Sequence, residues 1–93
     1  MLKAFWFSFP RDGLYHHCMT IGIHEETIAI VQLQSHLAAR GWSKFWIDRH
    51  FPLSACRVIR ASQTSMEALI LTDPFSAEMV MEVATPDTVR WAI

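Results

Sequence analysis

Phe5-Trp6-Phe7-Ser8-Phe9 is the stretch whose reading decides the fold. Successive side chains of a strand point to opposite faces, so Phe5, Phe7 and Phe9 share one apolar face while Trp6, between Ala4 and Ser8, points the other way. The alternation predicts a strand over residues 2 to 9 with the phenylalanines in a core. Trp46, between Lys44 and Asp48, is a second misfit of the same kind when residues 43 to 50 are read as a strand. A tryptophan on the polar side of a strand is either covered by more protein or left for a partner.

Downstream, Pro10-Arg11-Asp12-Gly13 has turn chemistry, and residues 14 to 23 alternate as the second strand of a hairpin. Tyr15, His17, Met19, Ile21 and Ile23 would share its inner face; His16, Cys18 and Thr20 the outer one. Glu25 and Glu26 then suit the positive end of a helix, Arg40 its last turn, and Gly41 the left-handed residue that stops it. Its expected apolar stripe runs through Thr27, Ile30, Val31, Leu37 and Ala38, with Glu25, Gln32, His36 and Arg40 on the wet side.

Beyond the helix, strands are expected over 43 to 50, 55 to 61 and 67 to 72, with a break at Phe51-Pro52-Leu53-Ser54 and a loop at Gln63-Thr64-Ser65. Asp73-Pro74 can cap and open a helix over 75 to 84, with Phe75, Met79, Val80 and Val83 inward and Glu78 and Glu82 outward. The alternation from Ala77 to Val83 leaves a strand as the alternative, turned by Thr85-Pro86-Asp87 into a terminal hairpin over 88 to 93. The expected fold class is α+β: two layers, an antiparallel sheet of about four or five strands, and one or two helices on one face.

A chain of 93 residues is long enough for one globular domain over 1–93 and too short for two. Its 52% hydrophobic and 18% charged composition lies far from that of disordered chains. Four Trp, six Phe and one Tyr are more large rings than one small core readily hides, which favours association, including a homodimer. Cysteine is limited to Cys18 and Cys56, both expected to be reduced. The opening residues do not resemble a secretory leader, and the longest apolar stretch is broken by Gln32, Gln34, Ser35 and His36, so the expectation is a cytoplasmic protein with no membrane partner.

The net charge of −1 hides an asymmetry. Residues 40 to 60 set five cations (Arg40, Lys44, Arg49, Arg57, Arg60) against Asp48, a balance of +4, whereas residues 61 to 93 set Arg90 against five carboxylates, a balance of −4. The two halves can neutralise each other, pair head to tail between copies, or leave a one-sided patch for a charged partner.

Together these features predict a small non-enzymatic protein-interaction module, a regulator, inhibitor or accessory subunit acting by steric occupancy of another protein. Its expected contact residues are Trp6, Lys44, Trp46, Arg49, Arg57 and Arg60. Exposed rings near arginines also allow a single-stranded nucleic-acid module, although there is no basic excess and no RNA-recognition consensus. A small hydrolase or metal protein using His16, Cys18 and His50, or Ser54 and Cys56 near His50, is the third alternative. It has no Cys-x-x-Cys, no His pair at helical spacing and no glycine-lined oxyanion turn, so neither a metal nor a cofactor is expected.

Overall fold

The phenylalanine alternation is realised as strand β1, Lys3–Ser8, with Phe5 and Phe7 buried and Trp6 half-buried on the reverse face. The computed structural model describes residues 1–9, 22–53, 57–62 and 66–92. In chain order the further elements are α1 (Gly22–Ala39), α2 (Lys44–His50), β2 (Arg57–Ser62), β3 (Glu67–Thr72), α3 (Pro74–Val83) and β4 (Val89–Trp91). The four strands form one antiparallel sheet in the order β2-β3-β1-β4, which puts β1 inside it.

Register explains which side is wet. Phe5 lies opposite Ile70, and Phe7 opposite Ala68 and Val89, so these side chains share the inner face and all are buried. On the outer face Trp6 lies opposite Leu69 and Arg90. Strand β2 would turn Arg60 inward by strict alternation from Val58. An irregularity between the two residues sets Arg60 opposite Leu69 and returns it to the outer face.

Both longer helices lie on the phenylalanine face, α1 against β2 and β3 and α3 against β1 and β4. Leu33 and Leu37 of α1 and Ala77 and Val80 of α3 join one buried cluster with the strand residues. Ile47 of α2 and Phe51 just after it belong to the same cluster. The Phe51 ring meets Phe5 edge-on at 6.3 Å, and its carbonyl accepts a 2.8 Å hydrogen bond from Gln34 Nε2 of α1. The architecture is α+β, with a four-stranded antiparallel sheet and three helices among the described residues.

Local chemistry sets the helix ends. Gly41 takes φ +100°, the left-handed conformation that stops α1. Asp73 caps α3 by accepting from Ser76 N at 2.9 Å, followed by Pro74 at the first helical position, and this favours helix over the alternating-strand alternative. The chain leaves α3 through the turn at 85–88 and returns as β4 beside β1 rather than as half of a terminal hairpin.

Four expectations are corrected. Residues 44–50 are helical rather than extended, because Ser43 caps them through its hydroxyl and a Lys44–Asp48 ion pair closes at i, i+4. The first helix begins at Gly22, so the end of the expected 14–23 strand is helical; the 10–13 turn and the rest of that strand lie outside the described residues. The buried side of α1 runs through Ile28, Ala29, Ile30, Gln32, Leu33 and Leu37, while Thr27 and Ala38 are exposed. In α3, Ser76, Ala77 and Val80 face inward and Phe75 is 62% exposed. Both helices carry apolar side chains around much of their circumference, so docking on the sheet rather than periodicity chose the buried arc.

Candidate interaction surface

The helical assignment of 44–50 redistributes the candidate residues. Trp6 keeps its outward place on the sheet, half-buried, with the Arg90 guanidinium 5.5 Å from its ring centroid. Arg90 also makes a 2.9 Å ion pair with Glu67, spanning β1. Arg60 and Arg57 share the outer face, opposite Leu69 and Leu71, so Arg90, Trp6, Leu69 and Arg60 form a row across all four strands. Trp46, Lys44 and Arg49 are not on the sheet. They belong to α2, where their position on a wet helix exposes them.

What α2 and α3 build instead is a ladder of rings. Phe45 meets Trp46 edge-on at 5.3 Å, Trp46 stacks on His50 at 5.6 Å and 13°, and His50 lies against Phe75 at 5.4 Å. Residues four apart share a helix face, which places the imidazole on the indole. Three of the four rings stay open to water, with Phe45 65%, Trp46 44% and Phe75 62% exposed. Sequence reasoning missed Phe45 and turned Phe75 inward; the cap at Ser43 and the Lys44/Asp48 spacing were the signals that could have placed Phe45 on a helix, whereas no local signal fixed the outward turn of Phe75.

Hydrogen bonds pin the centre of the ladder. Ser76 Oγ donates to Asp73 Oδ1 at 2.7 Å, so its single proton is committed, and it accepts from His50 Nδ1 at 2.8 Å. His50 therefore carries its proton on Nδ1, and its Nε2 is buried without a hydrogen-bond partner among the described residues. Partial burial pushes the Asp73 carboxyl upward, but the hydrogen bonds from the Ser76 hydroxyl and amide, with His50 nearby, outweigh it and hold the group below the usual carboxylate range.

Serine, histidine and aspartate thus meet, but in an order that does not serve nucleophilic catalysis. The hydroxyl sits between carboxylate and imidazole, gives its proton to the carboxylate and is fully buried, so substrate cannot reach it. Of the other hydrolytic and metal candidates, His16, Cys18, Ser54 and Cys56 lie outside the described residues. Among the described residues no three His, Cys, Asp or Glu converge as metal ligands, and no helix is long and apolar enough to cross a membrane.

Lys44 is held by Asp48 at 2.6 Å, whereas Arg49 and Arg57 make no ion pair among the described residues. Both arginines line a small cleft together with His50, Thr72 and Asp73. Compared with protein-family models, with curated proteins and with solved structures, the chain has no significant match.

Proposed function

We propose that this chain is a non-enzymatic protein-interaction module, a regulator, inhibitor or accessory subunit that acts by covering a surface of another protein. The observation that carries the reading is the contiguous ladder Phe45–Trp46–His50–Phe75, open to water and fixed from behind by Ser76 and Asp73. Rings held in place lose little conformational freedom on contact, and a central indole supplies about 2 kcal/mol or more once surrounding contacts exclude water. Arg49, exposed and next in the chain to His50, has no ion pair among the described residues, whereas Lys44 is held by Asp48, so the partner we infer presents an apolar anchor with a carboxylate beside it. Trp6, Arg57 and Arg60 belong to the outer sheet face and serve no contact made by the ladder itself.

The nucleic-acid alternative draws less support. It needed Trp6 and Trp46 on one sheet face, and only Trp6 is there, with Arg90 over its ring and Arg90 itself bound to Glu67.

A photo-cross-linking residue at position 45, used in the source cell with and without Trp46→Ala, tests the proposal. The expected result is a protein adduct lost in the variant, followed by binding of that purified partner about thirtyfold weaker to Trp46→Ala, with the folded spectrum unchanged. Light scattering separates a second copy of this chain from a different protein. The reading fails if Trp46→Ala forms the same adducts as the wild type, or if the only adduct is a self-dimer.

A further inference from the structure

The charge asymmetry of the sequence is not cancelled inside the fold. The ion pairs among the described residues are Lys3–Glu78, Lys44–Asp48 and Arg90–Glu67, and none joins a cation of residues 40–60 to a carboxylate of residues 61–93. Architecture keeps the two sets apart. Arg57 and Arg60 stand exposed on the outer sheet face, opposite the half-buried Leu71 and Leu69 of β3. All three helices pack on the phenylalanine face, so among the described residues no helix covers these arginines. Glu78 and Glu82 stand exposed on α3, on the arc turned away from its buried Ser76, Ala77 and Val80. One side of the molecule is therefore cationic and the opposite side acidic.

We propose that the outer sheet face binds helix α3 of a second copy of this chain, Arg57 and Arg60 meeting Glu78 and Glu82, so that copies associate head to tail. Charge supports it first. The sheet face carries Arg57, Arg60 and Arg90 against Glu67 alone, an excess of two positive charges, whereas α3 holds two glutamates and no cation. Neither Arg57 nor Arg60 nor Glu82 has an ion pair among the described residues, and Lys3 holds Glu78 only in an exposed pair of the kind that water and salt screen. Spacing supports it next. The two arginines sit opposite residues two apart on β3, about 6.7 Å along the strand, and glutamates four apart on a helix are about 6 Å along its axis. Half-buried Met79, beside the glutamates on α3, supplies an apolar group to set on Leu69 and Leu71. Two sheet faces packed on each other would oppose arginines to arginines, and two α3 helices glutamates to glutamates, so the complementary contact is heterologous and can repeat. It needs neither Phe45 nor Trp46 nor any other protein, so it stands or falls apart from the ring ladder. Phe75 begins the same arc of α3, and a docked copy would cover that end of the ladder.

The test is analytical sedimentation of the purified full chain from about 10 µM to about 1 mM, the range of a weak contact, at roughly 50 mM and 500 mM salt. At low salt the average mass is expected to rise with concentration past that of a dimer, and at high salt to fall back towards the monomer. Arg57→Gln/Arg60→Gln and Glu78→Gln/Glu82→Gln should each weaken self-association about tenfold or more, while amide spectra report that these exposed substitutions leave the fold intact. Mixed in equal amounts, the two double variants should form a one-to-one complex and nothing larger, because each supplies the surface the other has lost. A wild type that stays monomeric at about 1 mM and low salt would overturn the proposal, whether the arginines are then covered by the chain itself or kept for a different acidic protein. So would a wild type that stops at a dimer, association that neither salt nor either double variant weakens, or a mixture of the variants that stays monomeric.

Discussion

Replacing Ser76 by Ala removes one oxygen from a fully buried position and breaks two side-chain hydrogen bonds, while the cap from Ser76 N to Asp73 Oδ2 survives because it uses the backbone. The bond to Asp73 is charge-assisted, a type that contributes about 1.5–3 kcal/mol, but Asp73 is exposed and water can take the vacated lone pair, which reduces the loss to about 1 kcal/mol. His50 then keeps a half-buried Nδ1–H with no acceptor beside an Nε2 that already has no partner, adding about 1 kcal/mol. Alanine nearly fills the space of serine, so no cavity cost is added, and the expected loss is about 2 kcal/mol. For a domain of this size that is a fall of roughly 10 °C in Tm, or about 2 M in urea midpoint for a slope near 1 kcal/mol/M. Equilibrium urea unfolding of the wild type, Ser76→Ala, His50→Ala and the double variant measures it. The two single substitutions should couple by about 1 kcal/mol because they share one bond. A loss below about 0.5 kcal/mol, or the same Ser76→Ala loss with and without the imidazole, would refute this account of the network.

Three other outcomes follow from the same geometry. The Asp73 carboxyl titrates below its ordinary value, so its contribution is complete above the unfolded value of about 3.9 and is lost as pH falls through the lower folded value. Unfolding curves of Asp73→Asn should therefore be flatter below pH 4 than those of the wild type, and Asp73→Ala should lose about 1 kcal/mol of capping at pH 7. Burial, and secondarily the charge of Arg40, lowers the His36 pKa, so the folded state favours the neutral ring packed edge-on to Phe7 at 5.7 Å. Stability should then fall as pH drops below the unfolded value of about 6.5 toward the folded one, and His36→Gln, measured by urea unfolding at pH 7.5 and 5.5, should abolish that decline. Met66 holds φ 55° at the start of β3 while 37% exposed, so Met66→Gly relieves left-handed strain at little packing cost and should raise stability by about 1 kcal/mol in thermal melts.

Much of the candidate site was legible only as parts. The outward turn of Trp6 followed from strand alternation alone and stands. Trp46 was correctly singled out as a ring without a core position, but its setting was misread, because seven residues hold too little periodicity to separate two helical turns from a strand. That Arg49 and Arg57 line one cleft was invisible in one dimension, because it brings the last turn of α2 beside the first residue of β2.

By itself the sequence determined the elements whose signals are local. The phenylalanine alternation gives β1, the apolar run 67–72 gives β3 to its end residues, Gly41 gives the stop of α1, and Asp73-Pro74 gives the start of α3. Each is a short-range steric or hydrogen-bonding rule that needs no knowledge of the rest of the chain. Tertiary structure alone decided the state of 44–50, the buried arcs of α1 and α3, and the meeting of Trp46, His50 and Phe75. Those choices rest on side chains far apart in sequence competing for one limited core. What is buried is the arc that each docked helix turns to the sheet, small residues such as Ser76 and Ala77 included, and rings outside it, such as Phe75, form the exposed ladder.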